Sequence, residues 1–346
     1  MNQRRVLGFI PRIRRRDIME PCALAVDLGG SNIRVAVVTR SGGIAERLSR
    51  PSRAAEGREA VLSVLLSALD ESEQVLQTQT ALGIGIAVAG ALDVRSGIVT
   101  QSPNLPGLDD TPLRTIVASH FADRLPVLLE NDANAAALGE SWKGAGVGSQ
   151  TLVCLTLGTG IGGGIIENGL LLHGADGMAG EIGHMTIDPS GPLCNCGNTG
   201  CLEAFSSATA IRRLAIEALG AHPDNAPILL QRCGGSPDRI SAEMVAEAAA
   251  AGDLLSQTVY HTMGKALGIG IASLINIFNP DTVILGGQVA KAWDLFWPDT
   301  DQEVRKRALR VPGRRAHIVS AQQGDDAGLL GAAFLVFSTQ GSFSIS

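Results

Sequence analysis

The sequence lacks a hydrophobic run long enough to span a lipid bilayer, and no apolar segment of signal-peptide length follows its arginine-rich start. Six cysteines in 346 residues are too few for a disulfide scaffold. The formal net charge of -6 argues against nonspecific nucleic-acid binding by the whole surface. These absences predict a cytoplasmic protein that binds neither a membrane nor nucleic acid.

Two common nucleotide-binding motifs are also missing. The P-loop pattern G-x-x-x-x-G-K-[ST] does not occur, because the pair Gly264-Lys265 is followed by alanine. Gly158, Gly160 and Gly163 match the G-x-G-x-x-G fingerprint, but a dinucleotide site needs a helix directly after the glycines. A further glycine and two β-branched residues follow instead, which favours a β-hairpin and argues against a dinucleotide oxidoreductase.

The composition permits a large core. Hydrophobic residues make up 45% and charged residues 18%, and the length is enough for two domains. Residues 57–80 and 241–275 have helical patterns, the second predicted as one long alanine-rich helix.

The stretch 130–137 is the best catalytic candidate. A short apolar strand precedes it and an alanine-rich helix follows, so Asp132 lies at a strand-to-helix junction, at or next to the N-cap. The helix dipole favours the ionised carboxylate there. Such a carboxylate can orient a hydroxyl and accept its proton in phosphoryl transfer, although a plain capping role is the alternative.

Two hairpins with tips of small residues are predicted at 27–34 and 156–166. Small residues expose backbone N–H groups and let phosphate oxygens approach closely. Asp27, at the end of the first strand, could hold Mg²⁺ through water, whereas a purely structural hairpin is the alternative. The two hairpins form a weak internal repeat, which points to two similar α/β domains.

A cluster of thiols follows a histidine in a glycine-rich loop. The candidate ligands are His184, Cys194, Cys196 and Cys201. One histidine and three cysteines suit a tetrahedral structural zinc ion; a disulfide with a free thiol, or unligated cysteines, are the alternatives. Glu181 and Glu203 flank the cluster and could accept hydrogen bonds from hydroxyl groups.

These motifs together resemble the ROK family of bacterial sugar kinases and sugar-responsive repressors. The resemblance covers about residues 22 to 336, and it is carried by the segments 27–34, 130–137, 157–164, 180–184 and 194–203. It implies an α/β, two-lobed, actin/hexokinase-like (ribonuclease H-like) fold, with mixed sheets flanked by helices and a ligand cleft between the lobes.

The resemblance also assigns residues to roles. Asp132 would be the general base on the sugar hydroxyl. Sugar contacts would come from Gly90, Asn104, Asn131, Asp132, Glu181, His184 and Glu203. The nucleotide and its Mg²⁺ would be surrounded by Asp27, Gly29, Gly30, Ser31, Asn32, Thr159, Gly160, Gly286 and Gly287. His184 would serve both zinc and sugar.

The implied activity is ATP-dependent phosphorylation of a hexose, with glucose as the first choice. N-acetylmannosamine, N-acetylglucosamine and fructose are alternative substrates. A repressor is disfavoured because only about twenty residues precede the first hairpin, too few for a DNA-binding domain. A dimer or tetramer is expected from the family.

The expected domain organisation follows. Residues 1–21 would be a disordered basic tail and 339–346 a second tail. Residues 22–128 would form an N-terminal α/β lobe, completed by a helix at 322–338. Residues 129–321 would form a C-terminal α/β lobe that carries the zinc loop.

Overall fold

The computed structural model describes residues 20–76 and 81–339, so the predicted terminal tails lie almost entirely outside it. Strands and helices alternate along the chain. The strands are β1 (Cys22–Leu28), β2 (Asn32–Thr39), β3 (Ile44–Pro51), β4 (Ile84–Val88), β5 (Ala91–Asp93), β6 (Ile98–Gln101), β7 (Val127–Asn131), β8 (Leu152–Leu157), β9 (Ile161–Glu167), β10 (Leu170–Leu171), β11 (Thr282–Gly286) and β12 (His317–Ser320). The α-helices are α1 (Arg58–Val75), α2 (Leu113–His120), α3 (Asp132–Lys143), α4 (Glu203–Ser206), α5 (Ala208–Ala221), α6 (Pro227–Arg232), α7 (Ala242–Ala250), α8 (Leu254–Phe278), α9 (Trp293–Arg307), α10 (Arg310–Arg315) and α11 (Ala327–Ser338).

Two five-stranded sheets share one pattern. Their orders are β3-β2-β1-β4-β7 and β10-β9-β8-β11-β12. In each, a glycine-tipped antiparallel hairpin, β1–β2 or β8–β9, leads into parallel strands. Both predicted hairpins are therefore present, each in its own sheet.

The chain divides into two compact units. The first comprises residues up to 148, 169–179 and those from 322 on; the second comprises 149–168 and 180–321. The predicted boundary after residue 128 lies too early, because β7 pairs in parallel with β4 and thus completes the first sheet. The excursion at 169–179 was not predicted either.

Alternation along β1 sorts large and small side chains to opposite faces of the first sheet. Leu24, Val26 and Leu28 pack in one cluster with α1 and α2, whereas Ala23 and Ala25 belong to a second cluster with α11. The small side chains on this second face leave room for a helix to lie close to the sheet.

Glycines bring α11 and α3 into backbone contact. A Cβ atom at Gly331 would lie 1.7 Å from the carbonyl oxygen of Ala135, and one at Gly139 would lie 2.0 Å from that of Ala327. No larger residue fits without moving a helix. The C-terminal helix therefore fixes the position of α3, which begins at Asp132.

The predicted long helix at 241–275 is wrong in one respect, because it is broken into α7 and α8. Gly252 has a φ of 96°, and the side chain of Asp253 accepts a hydrogen bond from the backbone N–H of Ser256 at 3.0 Å, capping α8. Among the described helices, none combines the length and hydropathy needed to cross a bilayer.

Candidate active site

The start of α3 is built by Asn131. Its side-chain oxygen accepts hydrogen bonds from the backbone N–H groups of Ala133 at 2.9 Å and Asn134 at 3.2 Å, which makes it the N-cap. Asp132 is therefore the first helical residue. Its side chain is exposed, and its Oδ1 accepts a hydrogen bond from the N–H of Ala133 at 2.9 Å.

The amide nitrogen of Asn131 also ties this helix start to a neighbouring loop. It donates to the carbonyl oxygen of Gly90 at 3.1 Å. Gly90 has a φ of 154°, and a Cβ there would lie 2.5 Å from the carbonyl oxygen of Gln101. Two of the predicted sugar contacts, Gly90 and Asn131, thus meet directly, and an added side chain at residue 90 would separate them.

Glu130 anchors the same helix start from inside the unit. Its side chain is buried, and its Oε1 accepts from the backbone N–H of Asn131 and from Nδ2 of Asn134, both at 3.0 Å. Its Oε2 lies 2.7 Å from Nε2 of His173. This hydrogen bond raises the pKa of His173 above its usual value, against the opposing effect of desolvation.

The first hairpin presents a tip of exposed or partly exposed small residues. The predicted nucleotide contacts here are Gly29, Gly30, Ser31 and Asn32. The N–H of Gly29 donates to the carbonyl oxygen of Asn32 at 3.0 Å, which closes the turn. A Cβ at Gly30 would lie 2.5 Å from the carbonyl oxygen of Asn104, so the exposed Asn104 loop packs directly on this tip.

Asp27 forms an ion pair with Arg34, its partner across the hairpin. The guanidinium also donates to the carbonyl oxygen of Asp325 at 2.8 Å. Burial raises the pKa of Asp27, and the nearby Arg34 opposes that rise. Asp27 offers a single carboxylate, which suits the water-mediated role that a protein ligand takes when Mg²⁺ is held mainly by phosphates.

The second hairpin belongs to the second unit, and its tip is held by backbone contacts. Gly158 donates to the carbonyl oxygen of Gly160 at 2.9 Å, and the hydroxyl of Thr209 donates to that of Thr159 at 2.8 Å. The side chain of Thr159 itself is exposed. The tip therefore rests on the start of α5 and leaves Thr159 and Gly160 at the surface of this unit.

Glu203 connects this hairpin to the cysteine loop. Its Oε2 accepts from the backbone N–H of Ile161 at 2.8 Å, and its Oε1 lies 3.7 Å from Sγ of Cys194. A Cβ at Gly160 would lie 2.3 Å from Oε2 of Glu203. The predicted sugar contact Glu203 and the predicted nucleotide contact Gly160 are thus neighbours.

The predicted metal ligands converge. One ligand atom from each of His184, Cys194, Cys196 and Cys201 lies within 4.8 Å of the others. Sγ of Cys194 is 3.7 Å from Nδ1 of His184, and Sγ of Cys196 is 3.7 Å from that of Cys201. Ligands of a tetrahedral zinc ion, with Zn–S of about 2.3 Å, lie about 3.8 Å apart, so this donor set fits the metal.

The remaining predicted residues of the second unit lie near these elements. Nε2 of His184 is 3.9 Å from Oε2 of Glu181, whose side chain is exposed. Gly286 ends β11, and Gly287 has a φ of 87° with a Cβ position 2.4 Å from the carbonyl oxygen of Leu157. Only a glycine at residue 287 lets the chain turn here, directly beside the end of β8.

Comparison with known proteins decides the family. The sequence model described as ROK family matches residues 23–339. The chain belongs to the ROK family. It is 37% identical over 313 residues to the glucokinase of Thermotoga maritima, which covers 90% of this chain and 96% of that protein. It is also 33% identical over 322 residues to the xylose repressor of Caldicellulosiruptor bescii, which covers 92% of this chain and 79% of that protein.

A solved structure of the family confirms the fold. The ROK family glucokinase from Streptomyces griseus, in complex with glucose and AMPPNP, is 34% identical. Its TM-score is 0.78, and the match covers 92% of this chain and 99% of that one. The family resemblance and the actin/hexokinase-like α/β fold expected for this ROK family chain are therefore confirmed.

Sequence reasoning missed two contributors to the site. Glu130 was read only as part of a motif, and His173 was not singled out, although a histidine in a Gly-rich loop just before Gly180-Glu181 was a usable signal. It also assigned Asp132 to the cap region without recognising that Asn131 is the cap. The pairing of Glu130 with His173 spans 43 residues and leaves no local pattern.

Proposed function

We propose that this ROK protein is a hexokinase-type phosphotransferase that uses ATP to phosphorylate a hexose, converting glucose to glucose 6-phosphate. The observation that carries the proposal is the exposed carboxylate of Asp132, held at the first turn of α3 by the Asn131 cap. The similarity to glucokinases supports both the reaction and the sugar.

Asp132 is suited to proton transfer from a sugar hydroxyl. The helix dipole favours its ionised form at N1. In the proposed reaction the hydroxyl oxygen bonds to the terminal phosphorus of ATP, the bond from that phosphorus to the bridging oxygen breaks, and ADP leaves. Asp132 orients the hydroxyl and accepts its proton as the new bond forms.

Gly90, Asn104 and Asn131 in the first unit, and Glu181, His184 and Glu203 in the second, are the proposed sugar contacts. Each offers a polar atom, or in the case of Gly90 a backbone position, in the part of its unit described above. A hexose carries several hydroxyl groups, and such groups are recognised by amide and carboxylate side chains held in fixed positions.

The nucleotide would be bound by the glycine-rich tips. The proposed residues are Gly29, Gly30, Ser31 and Asn32 in the first unit, and Thr159, Gly160, Gly286 and Gly287 in the second. Mg²⁺, with Asp27 as its protein contact, would supply charge stabilisation at the phosphates. The tips themselves provide backbone N–H groups and close access for phosphate oxygens.

His184, Cys194, Cys196 and Cys201 are proposed to bind a structural zinc ion. The loop that carries them is rich in glycine and exposed polar residues, and it has little apolar surface with which to fix its own shape. Because Glu203 contacts both Cys194 and the backbone of Ile161, a bound metal would also fix that carboxylate.

A coupled assay for ADP production across a panel of hexoses tests the function. The panel contains glucose, fructose, mannose, N-acetylglucosamine and N-acetylmannosamine, because the alternative substrates differ mainly at carbon 2. We expect the highest kcat/KM for glucose. ADP production that does not depend on any of these sugars would contradict the proposal.

The similarity to a xylose repressor supports a second candidate, a sugar-responsive DNA-binding protein. The Asp132 segment favours the kinase, since a repressor needs no general base. A gel-shift assay with sugar-operon promoter DNA separates the two. Specific, sugar-sensitive binding together with no ADP production would favour the repressor.

A further inference from the structure

Glu130 is an almost completely buried carboxylate immediately before the proposed sugar and catalytic residues. It is 2% exposed. Burial of a carboxylate is costly unless each oxygen has a hydrogen-bond donor. Here three donors meet it: the backbone N–H of Asn131 and Nδ2 of Asn134 on one oxygen, and Nε2 of His173 on the other.

The first two donors belong to the beginning of α3. Asn131 is the last residue of β7 and the cap of α3, and Asn134 lies in the first turn of the helix. A carboxylate that binds both sides of the strand-to-helix junction restricts its backbone. Asp132 lies between the two donors, so the direction of its side chain depends on this restriction.

The third donor comes from a different part of the chain. His173 lies in the segment 169–179, which belongs to the first unit although the residues on both sides of it belong to the second. Nε2 of His173 is 2.7 Å from Oε2 of Glu130, and 40% of the His173 side chain is exposed. The chain then continues through Gly180 to Glu181, one of the proposed sugar contacts.

We propose that Glu130 and His173 are positioning residues for phosphoryl transfer: the pair fixes the junction that carries Asn131 and Asp132. This inference rests on the proposed kinase function. Neither side chain touches substrate in the proposed reaction. A small displacement of a general base is costly to the rate, because a misplacement of about 1 Å can lower turnover by about 100-fold.

The experiment perturbs the pair from the more exposed partner, since a substitution of the buried Glu130 is less certain to fold. His173→Leu removes the donor. His173→Gln keeps an N–H group near the position of Nε2 and is the rescue variant. The matched control is His120→Leu, which breaks the pair of His120 Nε2 with Asp70 Oδ1 at 2.8 Å, on helices α2 and α1 of the same unit.

We expect His173→Leu to lower kcat by about 10-fold, with the KM values for glucose and ATP changed by less than about 2-fold. His173→Gln should recover most of the kcat, and His120→Leu should keep the wild-type value. A kcat for His173→Leu within error of wild type would overturn the proposal. So would an equal loss of kcat in His173→Gln.

A second measurement is independent of the kinase assay. Hydrogen exchange of the Asn131 backbone amide, which donates to Glu130, should accelerate in His173→Leu and stay slow in His173→Gln and His120→Leu. If the wild type phosphorylates no hexose, the proposed function fails, and this exchange then decides separately whether the pair fixes the junction. Unchanged exchange in His173→Leu would overturn the positioning role.

Discussion

The side-chain oxygen of Asn131 accepts a hydrogen bond from the backbone N–H of Ala133 at 2.9 Å, so Asn131 caps α3 and Asp132 begins it. The cap and the proposed base are therefore separate residues. Asn131 satisfies the free N–H groups of the first turn, and the carboxylate of Asp132 stays exposed. This division of roles makes the two residues separable by mutation.

Replacing the cap should weaken the fold as well as the reaction. Asn131→Ala removes the acceptor for two backbone N–H groups and should lower the free energy of unfolding by about 1 kcal/mol. Denaturant unfolding measures this change. Asn131→Asp, which keeps a side-chain oxygen at the cap, is the control and should retain most of the stability. Equal stability of Asn131→Ala and wild type would exclude the capping role.

Removal of the metal should loosen the cysteine loop. We expect about one zinc ion per chain, because the four donor atoms fit a tetrahedral site. Cys196→Ser should lose that zinc, lower the melting temperature and reduce hexose phosphorylation. Cys233→Ser is the control, since Cys233 is buried in α6's end region and is not part of the donor set. Elemental analysis of chelator-washed, folded wild type with no metal at any step would refute the site.

The His173–Glu130 pair should make stability depend on pH in a defined direction. Its hydrogen bond raises the pKa of His173 in the folded state above the unfolded value of about 6.5. The folded state therefore binds the proton more tightly. The resulting stabilisation is complete below the unfolded pKa and is lost as the pH rises through the folded pKa.

The comparison of wild type with His173→Gln isolates this effect, because glutamine keeps a donor and does not titrate. The difference in the free energy of unfolding should be largest near pH 5.5 and should shrink toward pH 9. Unfolding by denaturant at the two pH values measures it. A difference that grows with pH would mean that the ion pair does not stabilise the folded state.

Gly160 should be far less tolerant of a side chain than Gly158. A Cβ at residue 160 would lie 2.3 Å from Oε2 of Glu203, whereas one at residue 158 would have its nearest neighbour at 3.9 Å. Gly160→Ala therefore displaces Glu203 from the N–H of Ile161. We expect it to raise the KM for glucose at least about 5-fold, with Gly158→Ala as the matched control. Similar KM values in the two variants would mean that the displaced carboxylate does not contact the sugar.

Local patterns predicted the local parts of the structure. The two hairpins, the strand-to-helix junction at Asp132 and the convergence of His184 with the cysteines all follow from residues close together in the chain. The break between α7 and α8 was also visible, as Gly252 followed by Asp253, but alanine-rich helix propensity outweighed it in the sequence reasoning.

Long-range pairings could not be predicted in this way. The placement of β7 in the first sheet depends on its register with β4, and the return of 169–179 to the first unit depends on packing. The ion pair of Asp27 with Arg34 required the hairpin register, which the turn composition alone did not fix. Such contacts join positions whose types are ordinary when each is taken alone.

The most direct test is the turnover of Asp132→Ala with glucose and ATP, measured by ADP production beside the wild type. We predict a loss of kcat of at least about 100-fold, because the sugar hydroxyl loses the group that accepts its proton. Circular dichroism and zinc content should stay at wild-type values, since Asn131 caps the helix and the metal ligands are unchanged. Near-normal turnover in this variant would contradict the role of Asp132 as general base.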